Sequence, residues 1–123
     1  MKQQSNIIVR SSNSGISRII LNQPSTYNAL SLSTLKSLIK SFKNFSYDEK
    51  TKVIIIEGLG KGFSAGHDLK EIKSLKGKNE YQKLFNSCSE LMLNIVNNNK
   101  PVIAKVHGAA FAAGCQLVAT CDL

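Results

Sequence analysis

The sequence contains few of the residues that identify the more specialised classes of protein. It has no tryptophan, two prolines, eight glycines and three cysteines in 123 residues. So few prolines and glycines exclude a fibrous repeat, and a hydrophobic fraction of 42% excludes a wholly disordered chain. No apolar run approaches the ~18 residues of a membrane-spanning helix. These limits favour one globular domain with no membrane span.

The cysteines form neither a disulfide framework nor a metal motif. Cys88, Cys115 and Cys121 are odd in number and include no CxxC pair. The N-terminus, MKQQSNIIVR, has neither an apolar signal core nor an Arg-rich amphipathic presequence. We therefore expect reduced thiols, buried as small hydrophobic side chains, in a cytoplasmic protein. A mitochondrial location is the alternative, without a clear presequence to support it.

Arginine and negative charge are also scarce. Lys and Arg number 16 against 8 Asp and Glu, which gives a net charge of +8, but only Arg10 and Arg18 are arginines. A positive surplus attracts anionic partners, whereas nucleic-acid readers depend on arginine for bidentate contacts. We therefore expect a lysine-rich surface and a small anionic ligand, and no nucleic acid as partner.

Hydrophobic periodicity predicts strands that alternate with helices. Short β-branched runs predict strands at 6–10, 16–22, 53–57 and 101–106. Apolar residues at three- and four-residue steps predict helices over 31–45 and 81–96, and a further helix is expected over 115–121. The run at 53–57 is apolar enough to predict a fully buried, parallel strand. This order predicts an α/β fold with crossover units and no second domain.

A glycine-rich loop, GLGKGFSAGHD, follows the strand at 53–57. It contains neither a GxGxxG nor a GxxxxGK[ST] phosphate motif. His67 with Asp68 fits an acid–base pair, and His67 with Glu71 has the spacing of two metal ligands, but two ligands do not make a metal site. The simpler interpretation is that Asp68 caps a helix starting near Leu69, while His67 points into a cleft.

Two stretches of small residues each follow a predicted strand. They are Ser64–Asp68 (SAGHD) and Ala110–Gly114 (AFAAG). Small residues let a ligand approach the backbone, and the second stretch leads into a helix whose first N–H groups attract negative charge. If the two loops converge, backbone donors from both would form an oxyanion hole. Ordinary tight packing of small residues is the alternative.

Three segments together resemble the enoyl-CoA hydratase/isomerase (crotonase) superfamily. They are IILNQPSTYNAL (19–30), VIIIEGLGKGFSAGHDLKEI (53–72) and KPVIAKVHGAAFAAGCQLVATCDL (100–123). The resemblance implies a crotonase-like spiral of ββα units, here truncated, with residues 1–123 as the N-terminal part of a single domain. It also implies fatty-acid/acyl-CoA metabolism, with acyl-CoA thioesters as ligands and coenzyme A present only as part of the substrate. A homotrimer or hexamer is implied at full length.

The resemblance further implies roles for individual residues. The backbone N–H groups of His67 and Ala113 would hold the thioester oxygen in the oxyanion hole. Coenzyme A would lie along Ala29, Leu30, Lys61, Ser64, Ala65, Gly66, Lys70 and Gly114. Lys61 and Lys70 are the candidates for its phosphates, and no metal is implied. Gln116 occupies the position of the family's general acid/base Glu, and a neutral amide cannot act as a base.

Two functions remain in competition. One is a lyase or isomerase that acts on a CoA thioester through the oxyanion hole, without ordinary hydratase activity. The other is a catalytically inactive crotonase-like protein that binds acyl-CoA or a protein partner. Gln116 and the missing C-terminal half favour the second.

Overall fold

Strands and helices alternate along residues 5–123, the part of the chain that the computed structural model describes. The elements are β1 (Ile7–Ser11), β2 (Ile16–Leu21), a short 3-10 helix (Pro24–Thr26), α1 (Leu32–Tyr47), β3 (Val53–Gly58), α2 (Leu69–Ser74), α3 (Lys78–Val96), β4 (Val102–Lys105) and α4 (Ala113–Thr120). The predicted α/β alternation is confirmed. The last helix begins two residues earlier than predicted, within the second stretch of small residues.

The four strands form one mixed sheet in the order β1-β2-β3-β4. β1 and β2 are an antiparallel hairpin, in which Gly15 has a φ of +86°. β3 is parallel to both neighbours, and the crossovers to and from it contain α1 and then α2 with α3. The parallel pairing predicted for residues 53–57 is therefore confirmed.

The prediction that β3 is fully buried is wrong. Ile54 and Ile56 are fully buried, whereas Val53, Ile55 and Glu57, on the opposite face, are only partly buried. The physical reason is that the helices pack on the face that carries Ile54 and Ile56. The other face carries charge, since Glu57 forms ion pairs with Arg18 at 3.4 Å and Lys105 at 3.6 Å.

The hydrophobic core lies between this sheet and the helices α1 and α3. Ser31 caps α1, because its Oγ accepts the Thr34 N–H at 3.2 Å, and the helix buries one apolar stripe. α3 buries a narrower stripe than its sequence predicts: Leu84, Leu91 and Ile95 are buried, but Phe85 and Val96 are exposed. Each large apolar side chain buried in this core contributes about 1.5–3 kcal/mol.

The three free thiols differ in environment. Cys88 is buried, as predicted, but Cys121 is only half-buried and Cys115 is exposed on α4. Burial raises the pKa of Cys88, and burial together with the nearby Asp122 carboxylate raises the pKa of Cys121 to about 11. No helix between residues 5 and 123 is long and apolar enough to cross a membrane.

Candidate functional site

The loops that follow β3 and β4 are joined by backbone hydrogen bonds. Phe63 N–H donates to the Ala109 carbonyl at 2.9 Å, and Phe111 N–H donates to the Ser64 carbonyl at 3.0 Å. Both loops leave the carboxyl ends of neighbouring parallel strands, which is the edge where open α/β sheets bind ligands. The two stretches of small residues therefore converge.

Gly66 and Gly114 permit this close approach. Gly66 has a φ of +89°, and a Cβ placed there would lie 2.9 Å from the Phe111 oxygen and 3.1 Å from the Ala113 nitrogen. A Cβ on Gly114 would collide with the Ser64 carbonyl oxygen. The backbone near His67 is thus in contact with the first residue of α4.

Two backbone N–H groups at this junction have no acceptor in the described part of the chain. Within residues 5–123, the backbone N–H groups of His67 and Ala113 donate no hydrogen bond. Their neighbours do, because Leu30 N–H donates to the Gly66 carbonyl at 2.7 Å and Gly114 N–H donates to the Phe111 carbonyl at 2.8 Å. Ala113 opens α4, where helix N–H groups are free and the helix dipole is positive. The junction can therefore stabilise a negatively charged oxygen.

Ala112 holds a strained backbone conformation directly before Ala113. Its φ is +48° and its ψ is −120°. A residue with a Cβ adopts a sparsely populated conformation of this kind at a cost of about 1–3 kcal/mol. The turn at Ala112 is what starts α4 at Ala113.

Asn28 fixes the loop after β3 from its buried side. Its Nδ2 donates to the Leu59 carbonyl at 2.9 Å and the Phe63 carbonyl at 3.0 Å, with the Gly62 carbonyl at 3.3 Å. Its Oδ1 accepts the Gln23 N–H at 2.8 Å. Asn28 is not among the residues that the sequence predicts to be functional. The one feature in the sequence that could indicate its role is its position, as a single amide side chain between a Pro-containing loop and an apolar helix.

Ser64 also stabilises the loop after β3. It is buried, its Oγ donates to the Asn28 carbonyl at 2.9 Å, and the same Oγ accepts the Gly66 N–H at 3.2 Å. The predicted ligand-contacting residue Ser64 thus holds Gly66 in place. Whether it also contacts a ligand stays a prediction.

A cavity of about 240 Å³ opens beside the two loops. Its lining residues are Tyr27, Lys61, Gly62, Ala65, Ala109 and Phe111. The structure therefore places the predicted ligand residues Lys61 and Ala65 together. Tyr27 and Phe111, which sequence reasoning did not select, are both more than half exposed and bring aromatic rings to the same cavity.

The other predicted ligand residues lie elsewhere around the junction. Ala29 and Leu30 are buried, and the Leu30 N–H donates a hydrogen bond to the Gly66 carbonyl next to His67. Lys70 is exposed at the start of α2. Gln116 is exposed in α4, where its N–H donates to the Ala112 carbonyl at 3.0 Å. Their proposed roles stay predictions.

The interpretation of Asp68 as a helix cap is confirmed. Its Oδ1 accepts the Lys70 N–H at 3.0 Å and the Glu71 N–H at 3.4 Å at the start of α2. The Glu71 carboxylate accepts the Leu32 N–H at 2.9 Å. No group of three or more potential metal ligands occurs between residues 5 and 123, so His67 and Glu71 have no third ligand there.

The His67 side chain lies against α3. Its ring meets the Phe85 ring edge-to-face, with centroids 5.2 Å apart, and Nδ1 is buried without a hydrogen-bond partner among the residues that the structure describes. Burial lowers the pKa of the imidazole, while the Leu30 carbonyl and the Glu71 carboxylate act in the opposite direction. Burial therefore favours the neutral form of the ring. His107, by contrast, is exposed and has its Nε2 2.7 Å from the Gly60 carbonyl oxygen.

Known proteins share both this sequence and this fold. The sequence model of the family described as "Enoyl-CoA hydratase/isomerase" matches residues 11–123. The rat protein "Enoyl-CoA hydratase domain-containing protein 3, mitochondrial" is 48% identical over 109 residues, which are 89% of this chain and 36% of the rat protein. "Enoyl-CoA hydratase, mitochondrial" from Pongo abelii is 35% identical over 114 residues, which are 93% of this chain and 38% of that protein.

Solved structures agree with the sequence comparison. The crystal structure of an enoyl-CoA hydratase from Mycobacterium smegmatis superimposes with a TM-score of 0.94 at 42% identity, covering 98% of this chain and 47% of that one. Human enoyl-CoA hydratase domain-containing protein 3 gives a TM-score of 0.92 at 44% identity, with 97% and 47% covered. This chain therefore spans about half of these solved chains and little more than a third of the curated relatives above. Because the family pattern extends over residues 11–123 and the folds coincide, the chain belongs to the enoyl-CoA hydratase/isomerase family.

Proposed function

We propose that this chain binds an acyl-CoA thioester and holds its carbonyl oxygen between the backbone N–H groups of His67 and Ala113. The observation that carries the proposal is that these two N–H groups have no acceptor among residues 5–123, although the loops that present them are hydrogen-bonded to each other. A thioester oxygen gains negative charge when its acyl group is converted to an enolate. Donors fixed in advance at such an oxygen are worth about 2.7–4 kcal/mol each in an enzyme transition state.

The coenzyme A moiety is assigned to the cavity beside the loops. Its lining combines two aromatic rings, small residues and the cation of Lys61, which suits a nucleotide with a flat base and phosphates. Lys70, exposed on α2, is the second candidate for the phosphates. Ser64, Gly66 and Gly114 shape the site through close backbone packing. The proposal includes no cofactor other than coenzyme A as part of the substrate.

Gln116 restricts the chemistry of the site. Its amide cannot take a proton from water, so the proposal does not include ordinary hydration. Isomerisation or another proton transfer next to the thioester is compatible with the two N–H donors. A catalytically inactive acyl-CoA-binding protein is the second candidate function, and the Gln at this position of α4 favours it.

The setting of this function is also inferred from the relatives. We propose residues 1–123 as the N-terminal part of a single crotonase-like domain that acts in acyl-CoA metabolism. Several relatives carry "mitochondrial" in their names, so we favour a mitochondrial location over the cytoplasmic one expected from the sequence. Assembly as a homotrimer or hexamer belongs to the same proposal.

Isothermal titration calorimetry with butyryl-CoA and with free coenzyme A tests the proposal. Butyryl-CoA should bind more tightly, because only it has a thioester carbonyl. Gly66→Ala should weaken butyryl-CoA binding at least tenfold, since its Cβ would push against Phe111 and Ala113.

Gly77→Ala is the matched control for this experiment. A Cβ on Gly77 would have no atom of residues 5–123 within 4 Å, and the backbone there is extended, so binding should not change. Equal affinity of the unmodified protein for butyryl-CoA and free coenzyme A would overturn the proposal, as would full binding by Gly66→Ala.

A further inference from the structure

A groove of about 330 Å³ lies between α1 and α3, away from the loops of the proposed acyl-CoA site. Its lining includes Lys36, Ile39, Lys40 and Lys43 from α1 and Glu90 from α3. None of these residues lines the cavity assigned to coenzyme A. The groove is therefore a separate feature of the surface.

The two walls of this groove differ in charge. On the α1 wall, Lys36 and Lys40 are exposed, and their side chains have no hydrogen-bond or ion-pair partner among residues 5–123. Lys43 lies across from Glu90, and their Nζ and Oε1 atoms are 3.3 Å apart. Both of these side chains are about half exposed, so solvent weakens the pair. The α1 wall thus offers positive charge, whereas Glu90 makes the α3 wall negative.

The lysines of the α1 wall lie in a row that ends at an exposed aromatic ring. Lys36, Lys40 and Lys43 follow at four- and three-residue steps, which places them on one face of the helix over about 10 Å. Tyr47 occupies the next position on this face and is 86% exposed, the highest value among the large apolar and aromatic side chains of residues 5–123. Tyrosine is enriched where protein partners bind. The row therefore has the composition of a protein-binding surface.

The arrangement of charge favours one class of anionic partner. A nucleic acid or an anionic membrane would bring negative charge to Glu90 as well as to the lysines. A membrane surface is also too flat to reach Ile39, which lines the groove and is only 8% exposed. A helix with acidic residues along one side can place them against the α1 wall alone. It can also direct an apolar residue at Ile39.

We propose that this groove binds an acidic amphipathic helix of a partner protein. Acidic residues at three- and four-residue steps on that helix would pair with Lys36, Lys40 and Lys43. Apolar residues beside them would contact Ile39 and the ring of Tyr47. This is the helix-in-groove mode of recognition. It goes beyond the proposed function and does not depend on it.

Fluorescence anisotropy with a labelled peptide tests the proposal on the full chain. The peptide has about 18 residues, or five helical turns, of Glu, Ala and Leu, with Glu along one side and Leu beside it. A second peptide of the same composition has its Glu residues spread around the helix. The first should bind at least tenfold more tightly than the second. Its Kd should rise at least fivefold between about 50 and 300 mM NaCl, because salt screens exposed charges.

Two triple variants with the same change of net charge locate the binding surface. Replacing the three lysines of the α1 wall by Gln should weaken binding of the first peptide at least tenfold. The matched control replaces three exposed lysines between α2 and α3, and its affinity should change less than threefold. Its substitutions are Lys73→Gln, Lys76→Gln and Lys78→Gln. Both variants should keep the far-ultraviolet circular dichroism of the unmodified protein, because all six side chains are exposed.

Tyr47→Ala tests the aromatic end of the row without a change of charge, and it should weaken binding at least threefold. Absence of binding at about 1 mM protein would overturn the proposal. Equal affinity for the two peptides, or equal losses in the two triple variants, would also overturn it. So would tighter binding of a single-stranded RNA oligomer or of phosphatidylserine vesicles that the α1 substitutions abolish. Butyryl-CoA binding should be the same in all variants, so these outcomes are independent of the acyl-CoA site.

Discussion

The loop that carries His67 depends on one buried amide, and Asn28→Asp measures that dependence. The substitution keeps the size of the side chain and the oxygen that accepts the Gln23 N–H. It removes both hydrogens of Nδ2, which serve the Leu59 and Phe63 carbonyls at 2.9 and 3.0 Å. Each bond contributes about 0.5–1.5 kcal/mol, and a buried carbonyl left without a donor adds a desolvation cost. We expect a loss of about 2–4 kcal/mol.

Urea unfolding followed by far-ultraviolet circular dichroism measures this loss. With an m-value of about 2 kcal/mol/M, in the middle of the usual range for small proteins, the midpoint should fall by about 1–2 M urea. Asn86→Asp is the matched control, because Asn86 is exposed on α3 and the change of charge is the same. Its effect should stay within about 0.5 kcal/mol. An equal loss of unfolding free energy in the two variants would refute the claim that Asn28 stabilises this loop through its hydrogen bonds.

Two further predictions concern backbone strain and thiol exposure. Ala112→Gly relieves a backbone strain of about 1–3 kcal/mol in the folded state. It also stabilises the unfolded state by about 0.4–1 kcal/mol, because glycine has more chain entropy there. The free energy of unfolding should therefore rise by about 1 kcal/mol, and calorimetry should show a Tm that is a few degrees higher. An unchanged or lower Tm would contradict the claim that the backbone is strained at Ala112. At pH 8 in native buffer, a disulfide reagent should titrate Cys115 rapidly and Cys88 and Cys121 only after unfolding, because burial raises the pKa of the latter two. Equal reaction rates for the three thiols would contradict the burial of Cys88 and Cys121.

Helix caps and strand pairing could be predicted from the sequence, because they are indicated mainly by residues that are neighbours in the chain. Asp68 caps α2 as expected, because a short polar side chain directly before a helix can accept the free N–H groups of its first turn. β3 pairs in parallel as expected, but its apolar run did not show that only the face of Ile54 and Ile56 is covered. Which face is covered depends on where the helices pack, and that is a property of the whole fold.

The site itself was only partly predictable. The small residues near Gly66 and Gly114 indicated close backbone approach, and the structure shows the contact. The positive φ of Ala112 was not predictable, because alanine rarely adopts it and only the tertiary structure imposes it. The burial of Asn28 and the contact between His67 and Phe85 join residues 18 or more positions apart. No local pattern encodes such contacts.

The most direct test of the account is the carbonyl stretching frequency of a bound thioester. Butyryl-CoA labelled with ¹³C at its carbonyl allows isotope-edited infrared spectroscopy of that one bond. Two hydrogen bonds from His67 and Ala113 polarise the carbonyl, so its band should shift to lower frequency on binding and should return to the free value in Gly66→Ala. A bound band at the frequency seen in buffer would contradict the oxyanion site.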